Sequence, residues 1–340
     1  MPGSAEPLPP LPHPRGELSE TLLDALRREP GELGATGASQ GGDPLADDDL
    51  ELALYCCYEL HYRSFASVDP GWEWDPSLLA FRAQLESRYA EALMDEVPRR
   101  DVPPDEVADL LFELAENDSA PSLSRYLERE GTIEEFREFA IHRSAYQLKE
   151  ADPHTWAIPR LTGAPKSALV EVQMDEYGSG RPERMHSRLF AEALEALELD
   201  SSYGAYLDRI PARTLATVNL ISLFGLHRRR RGALVGHLAM FEITSPVPNR
   251  RYASALRRLG KDGRATGFFD EHVEADSVHE QVAAYDLAQG LARAEPELAA
   301  DIVFGSEALL TLEGHWAEEL LSAWADGRSS LRDEPAIAIA

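Results

Sequence analysis

From Asp47 to Ala325 apolar residues return every three or four positions, and alternating strand-like runs bounded by turns are nearly absent. A chain patterned this way closes a core by packing helices on helices, so the expected fold class is all-α. The pattern predicts helices over 48–65, 76–97, 104–116, 121–130, 132–151, 165–177, 182–196, 211–243, 247–259, 266–294 and 297–325. Asp47 or Asp48 can cap the first of these, and Thr132 with Glu135 forms a capping box. No repeat of fixed period is present. The first 47 residues differ: eight of the 23 prolines fall there, beside Gly41 and Gly42. Such composition buries little surface of its own, which predicts a disordered tail over 1–47 with a short helix around 19–28.

Charge narrows the function. Sixty acidic residues against 33 basic ones leave a net charge of −27, the wrong sign for phosphate backbones or anionic membranes. No run approaches the ~18 apolar residues that span a bilayer, and a basic segment leading into an apolar one is missing at the N-terminus. Cys56 and Cys57 are neighbours and cannot staple distant segments. A soluble cytoplasmic protein is expected. Phosphate-loop, dinucleotide, nucleophile-elbow and H-E-x-x-H motifs are all missing. The basic run His227–Arg231 reads as surface arginines that pair with the abundant carboxylates.

Chemistry concentrates in four segments. His272, Asp276 and His279 are spaced i, i+4, i+7, one face of a helix, and two imidazoles around a carboxylate suit iron, manganese or zinc. A solvated face is the plainer alternative. Glu150 falls on the stripe of Phe136, Phe139 and Tyr146, and Glu242 on that of Val235 and Leu238. A carboxylate on a core-facing stripe needs an arginine or a metal. Between Glu176 and His186 stand Gly178, Gly180 and Pro182, which interrupt the helix and let the two reach a common point. Glu183 competes with Glu176, because Glu183-x-x-His186 has the spacing of ferritin-like di-iron bundles. Glu150, Glu176, His186, Glu242, His272, Asp276 and His279 exceed what one ion needs and suit two bridged by carboxylate.

In order and spacing over roughly residues 135–295, these segments resemble the heme-oxygenase-like di-iron oxidases and oxygenases, the iron-containing redox enzyme family. The resemblance implies a heme-oxygenase-like helical bundle over 131–330, with 48–130 as accessory helices that form an extra layer or a dimer contact. It implies two iron ions without heme, manganese being an alternative at one site. It implies O2 activation through a peroxo-di-iron(III) state on an amino-acid-like or fatty-acid-like small molecule, with an external reductant. By position, Glu150, His186 and His279 correspond to one iron's ligands, with Asp276 as an extra carboxylate. Glu176, Glu242 and His272 correspond to the other's, one glutamate bridging. His61, His142, His154, His237 and His315 match no ligand position and are expected to be packed or at the surface. Two other functions remain open: a ferritin-like ferroxidase that uses Glu183, and a non-catalytic helical interaction protein whose carboxylates are only ion-paired.

Overall fold

The computed structural model describes residues 7–34, 41–97 and 99–333, and of 274–278 only the backbone. Among the described residues every regular element is helical. In chain order they are α1 (Glu17–Leu26), α2 (Asp48–Glu59), α3 (Pro76–Glu96), α4 (Val107–Glu116), α5 (Leu123–Arg129), α6 (Ile133–Gln147) and α7 (Asp152–Thr155). There follow α8 (Gly163–Glu176), α9 (His186–Ala196), α10 (Ala212–Leu226), α11 (Arg231–Thr244), α12 (Pro246–Arg258), α13 (Gly267–Gln281), α14 (Gly290–Ala294) and α15 (Ala299–Ala325). None is long and apolar enough to cross a membrane.

Local signals start the helices. The Asp47 carboxylate accepts from the amides of Asp49 and Leu50, and Asp75 does the same for Ser77 and Leu78 at the head of α3. Thr132 and Glu135 form the reciprocal capping box of α6. Two long helices of the sequence reading are subdivided. The 211–243 stretch breaks at His227, whose extended backbone sends its imidazole to Glu86, 2.9 Å away, before Arg231 pairs with Glu295. The 266–294 stretch is continuous but widens to a π-helix over Val282–Gln289, which turns the residues after His279 onto a new face.

Tight backbone contact organises the centre. A Cβ on Gly236 of α11 would overlap the Ile302 carbonyl of α15, and one on Gly305 would overlap the Ala233 carbonyl. Ser306 Oγ donates across the same seam to Gly236 O at 2.8 Å. Two glycines, each set against the backbone of the other helix, thus let the helices approach until backbones touch, which fixes how far α11 slides and where Glu242 lies.

The expected disordered tail is corrected for its described part. Helix α1 buries Leu18, Leu22, Leu23 and Leu26, and the Asp49 carboxylate takes the Leu18 and Ser19 amides at 2.8 Å each. Ahead of it, Arg15 Nη2 donates to the Leu207 and Ile210 carbonyls at 2.7 Å. Composition measures what a segment can bury on itself, and this one buries its leucines on α2. The buried cluster that begins at Leu18 also runs unbroken through α2, α3, α10, α11 and α15 to Leu312. The N-terminal helices share this core rather than sitting over it.

Candidate metal centre

Six of the seven candidate residues converge. Glu150 lies in the turn just past α6 rather than within the helix, ahead of Ala151 at φ 73°. Glu176 is the last residue of α8 and His186 the first of α9. Between them the chain makes two single 3-10 turns, Gly178–Gly180 and Pro182–Arg184. Gly178 at φ 66° is required there: a Cβ would come 2.7 Å from the backbone of Arg184 and Met185. The hairpin brings His186 Nδ1 to 2.9 Å from Glu176 Oε2. Glu242 comes from α11, while His272 and His279 come from one face of α13. Asp276, the seventh candidate, has its side chain outside the described residues.

Two groups form and share Glu176. Ligand-type atoms of Glu150, Glu176, His186 and His272 lie within 4.8 Å of one another, as do those of Glu176, Glu242 and His279. His272 Nε2 is 3.6 Å from Glu150 Oε1, and His186 Nδ1 is 3.9 Å from Glu150 Oε2. His279 Nδ1 is 3.6 Å from Glu242 Oε2. This corrects the grouping drawn from the resemblance, in which His272 and His279 are exchanged. The start of α13 packs on α9, where Phe268 meets Phe190, so His272 faces the Glu150–His186 side. Two turns later α13 has reached α11, and His279 meets Glu242. Glu183 is exposed and takes no part.

The donor set fits metal ions better than a structural ion-pair network. All six side chains are at most 8% exposed, and the ion-pair partners of Glu150 and Glu242 among the described residues are histidines, His186 and His272 for the first and His279 for the second. Imidazoles, rather than an arginine, face Glu150 and Glu242. Burial raises the carboxyls of Glu150 and Glu242, as it does where no fixed cation compensates. Burial pulls the His279 imidazole down, but Glu242 and Asp175 outweigh it and hold it at about 9. A space of about 10 Å³ lies among Tyr146, Glu150, Glu176, Glu242 and His272.

Outer partners orient the imidazoles. His272 Nδ1 lies 2.8 Å from the Phe268 carbonyl, which accepts its proton and leaves Nε2 bare toward Glu150. His279 Nε2 lies 2.9 Å from Asp175 Oδ2, which turns Nδ1 toward Glu242. That is how metal-binding histidines are held. Asp175 had a sequence signal, since it precedes Glu176 at a helix end and points about 100° away, toward another helix. Of the remaining histidines, none enters either group. His154 and His237 are buried and face each other at 3.1 Å, His142 is buried between Thr214 and Ser330, and His61 and His315 lie in the N-terminal and α15 regions.

A larger cavity of about 640 Å³ opens beside the centre. Phe139, Phe190, Phe241, Tyr252, Phe268 and Trp316 wall it, and His272 reaches both it and the small space. A half-buried charged pair in its wall is self-satisfied, Arg143 meeting Glu313 in two hydrogen bonds of 2.9 and 2.6 Å with its guanidinium over Trp316.

Known proteins share this arrangement of helices. Residues 137–314, just over half of the chain, match the family described as iron-containing redox enzyme. The chain is 27% identical over 190 residues to a nitrosourea synthase of Streptomyces achromogenes subsp. streptozoticus, a match covering 54% of this chain and 40% of that protein. It therefore spans about two-fifths of that relative's length. Two structures of a CADD-like protein of unknown function from Nostoc punctiforme PCC 73102 share the fold. One superposes with a TM-score of 0.52 at 17% identity, over 64% of this chain and 97% of that one. The other gives 0.51 at 15%, over 66% and 96%.

Proposed function

Because the chain belongs to the iron-containing redox enzyme family, we propose that it is a non-heme di-iron oxidase or oxygenase that turns O2 on a small molecule. The observation that carries this is the pair of buried carboxylate–imidazole groups joined by Glu176, with an aromatic cavity ending on His272. Glu150, His186 and His272 would hold one iron, Glu242 and His279 the other, and Glu176 would bridge. Bound iron supplies O2 binding and redox equivalents that no side chain here provides.

The protein's own part is placement and exclusion. Phe268 and Asp175 fix which imidazole nitrogen faces inward, and the phenylalanines of the cavity keep bulk water from the centre. The Arg143–Glu313 pair presents no spare charge, so the substrate's inner portion is apolar or neutral. Gln147, one turn before Glu150, lines the same cavity with an Oε1 that accepts no hydrogen bond. It is suited to meet an N–H or O–H of the substrate. A relative named as a synthase of a small molecule supports a substrate of that kind. The reduced state would be restored by an external reductant.

Ferroxidase chemistry through Glu183 is the weaker reading, since that side chain is exposed and a storage site needs no aromatic cavity. Anaerobic Fe(II) titration tests the proposal. Two ions per chain are expected in the wild type, and O2 uptake should follow. Glu242→Ala and His279→Ala should each abolish uptake, whereas His237→Ala, whose ring faces His154, should leave it largely intact. A wild type that binds no iron, or uptake unchanged in Glu242→Ala, would overturn it.

A further inference from the structure

The turn that carries Glu150 is held mainly by residues outside the metal-bearing helices. Leu148 to Ala151 follow the end of α6, and Ala151 at φ 73° is in the left-handed region that an alanine seldom adopts. Such a turn persists only where its surroundings over-determine it. Lys149, between Leu148 and Glu150, is driven into a sealed compartment. Its Nζ is 2.9 Å from Glu59 Oε2, and both side chains are 1% exposed. The ammonium also sits 4.8 and 4.5 Å from the ring centres of Tyr55 and Tyr62. The Tyr203 hydroxyl lies 2.8 Å from each Glu59 oxygen, so the carboxylate cannot swing away. On either side of Lys149, Arg63 Nη2 donates to the Leu148 carbonyl at 3.3 Å and Gln173 Nε2 to that of Ala151 at 3.0 Å.

We propose that Glu59 and Lys149 are positioning residues of the metal centre: their ion pair, closed in by Tyr55, Tyr62 and Tyr203, sets the turn so that Glu150 faces His186 and His272. With Lys149 pinned toward α2, the carboxylate next to it is committed to the other side. Glu59, Tyr55, Tyr62 and Arg63 all precede residue 137, so α2 and the residues after it complete a site whose candidate ligands all lie within the family match. The proposal rests on the two-metal reading given above.

The test uses the full chain and Mn(II) alone, with free Mn(II) followed by electron paramagnetic resonance. Wild type should bind two ions. Removing one partner strands a buried charge and invites misfolding, so the informative variant is the double one, Glu59→Gln with Lys149→Met, which removes both charges at similar volume. In a folded double variant one Mn(II) site should weaken by about 10–100-fold, the scale of lost outer-shell support, while the other stays at its wild-type affinity. Glu242→Ala should spare the site that the double variant weakens. Where the double variant does not fold, Tyr203→Phe takes its place and should weaken the same site several-fold without changing any charge. Wild-type affinity at both sites in whichever of these folds would overturn the proposal, as would equal weakening of both. If wild type binds a single ion, the two-metal reading fails, and the clamp is judged on that ion by the same comparison. No binding at all overturns both.

Discussion

Glu242, His272 and His279 lie within helices, whereas Glu150, Glu176 and His186 sit where helices stop or start. The first three are placed by register. α11 is fixed against α15 by backbone contact at Gly236 and Gly305, and α13 carries its two histidines on one face. The second three depend on local backbone states: Ala151 at φ 73°, Gly178 at φ 66° and Ser179 at φ 52°. Positions held by register are lost only when the bundle itself is disturbed. Positions held by chain breaks can be lost while the bundle stands. The two halves of one centre should therefore fail in different ways.

The largest effect is expected on the register side. In Gly236→Ala the new methyl overlaps the Ile302 carbonyl, and no flexible side chain is there to give way. The helices must part along their seam, an overpacking cost of about 3 kcal/mol or more. Urea unfolding should show a much lower midpoint, or no folded protein, with iron binding lost together with the fold. A variant of wild-type stability would show that α11 and α15 can slip without loss, and the register argument would fall.

A smaller change should suffice on the other side. Gly178→Ala puts a side chain at φ 66°, costing about 1–2 kcal/mol in left-handed strain, and its methyl meets the backbone of Arg184 and Met185. The hairpin must open, drawing Glu176 away from His186. Far-UV circular dichroism should be unchanged and the thermal midpoint only a few degrees lower, while Fe(II) stoichiometry falls below two. Because Glu176 belongs to both groups, both ions should be affected. Full iron content in this variant would mean that the break does not place Glu176.

The same division explains what the sequence made legible. Caps such as Thr132–Glu135 and the His272/His279 face are readable because both partners lie within two turns. The Glu176–His186 hairpin is readable too, since Gly178, Gly180 and Pro182 announce a break. Which glutamate meets which histidine is not, because the answer depends on where α13 crosses α9 and α11. The Lys149–Glu59 pair spans 90 positions, and nothing around either residue points to the other. The short helix around 19–28 was readable as α1, but its docking was hidden for the same reason: its leucines are buried by α2, not by its own proline-rich neighbours. Gly236 and Gly305 carried a usable signal, being glycines inside otherwise strong helices, the mark of a close backbone approach.

The last expected effect concerns pH and vanishes near pH 7, and it sharpens the comparison through α6, the helix that delivers Glu150. His142 on α6 lies 2.6 Å from Thr214 Oγ1 and 3.0 Å from Ser330 Oγ, tying the helix to α10 and to the segment after α15. Burial lowers this imidazole to about 3, with Glu138 raising and Arg143 further lowering it. Unfolded, it takes up a proton near the ordinary histidine value of about 6.5. Between those values the unfolded chain holds one proton more than the folded one, so stability falls as pH drops below about 6.5, by about 1.4 kcal/mol per pH unit from this group. His142→Gln keeps an uncharged hydrogen-bonding group and removes the titration. Urea midpoints measured from pH 7 to 4.5 should fall less steeply in the variant by that amount, even if its stability at pH 7 is somewhat lower. Other buried histidines, His154 and His237 among them, contribute to both curves, so the difference isolates His142. Parallel curves would mean that this imidazole is already charged in the folded protein, and that α6 is not tied down through a neutral histidine.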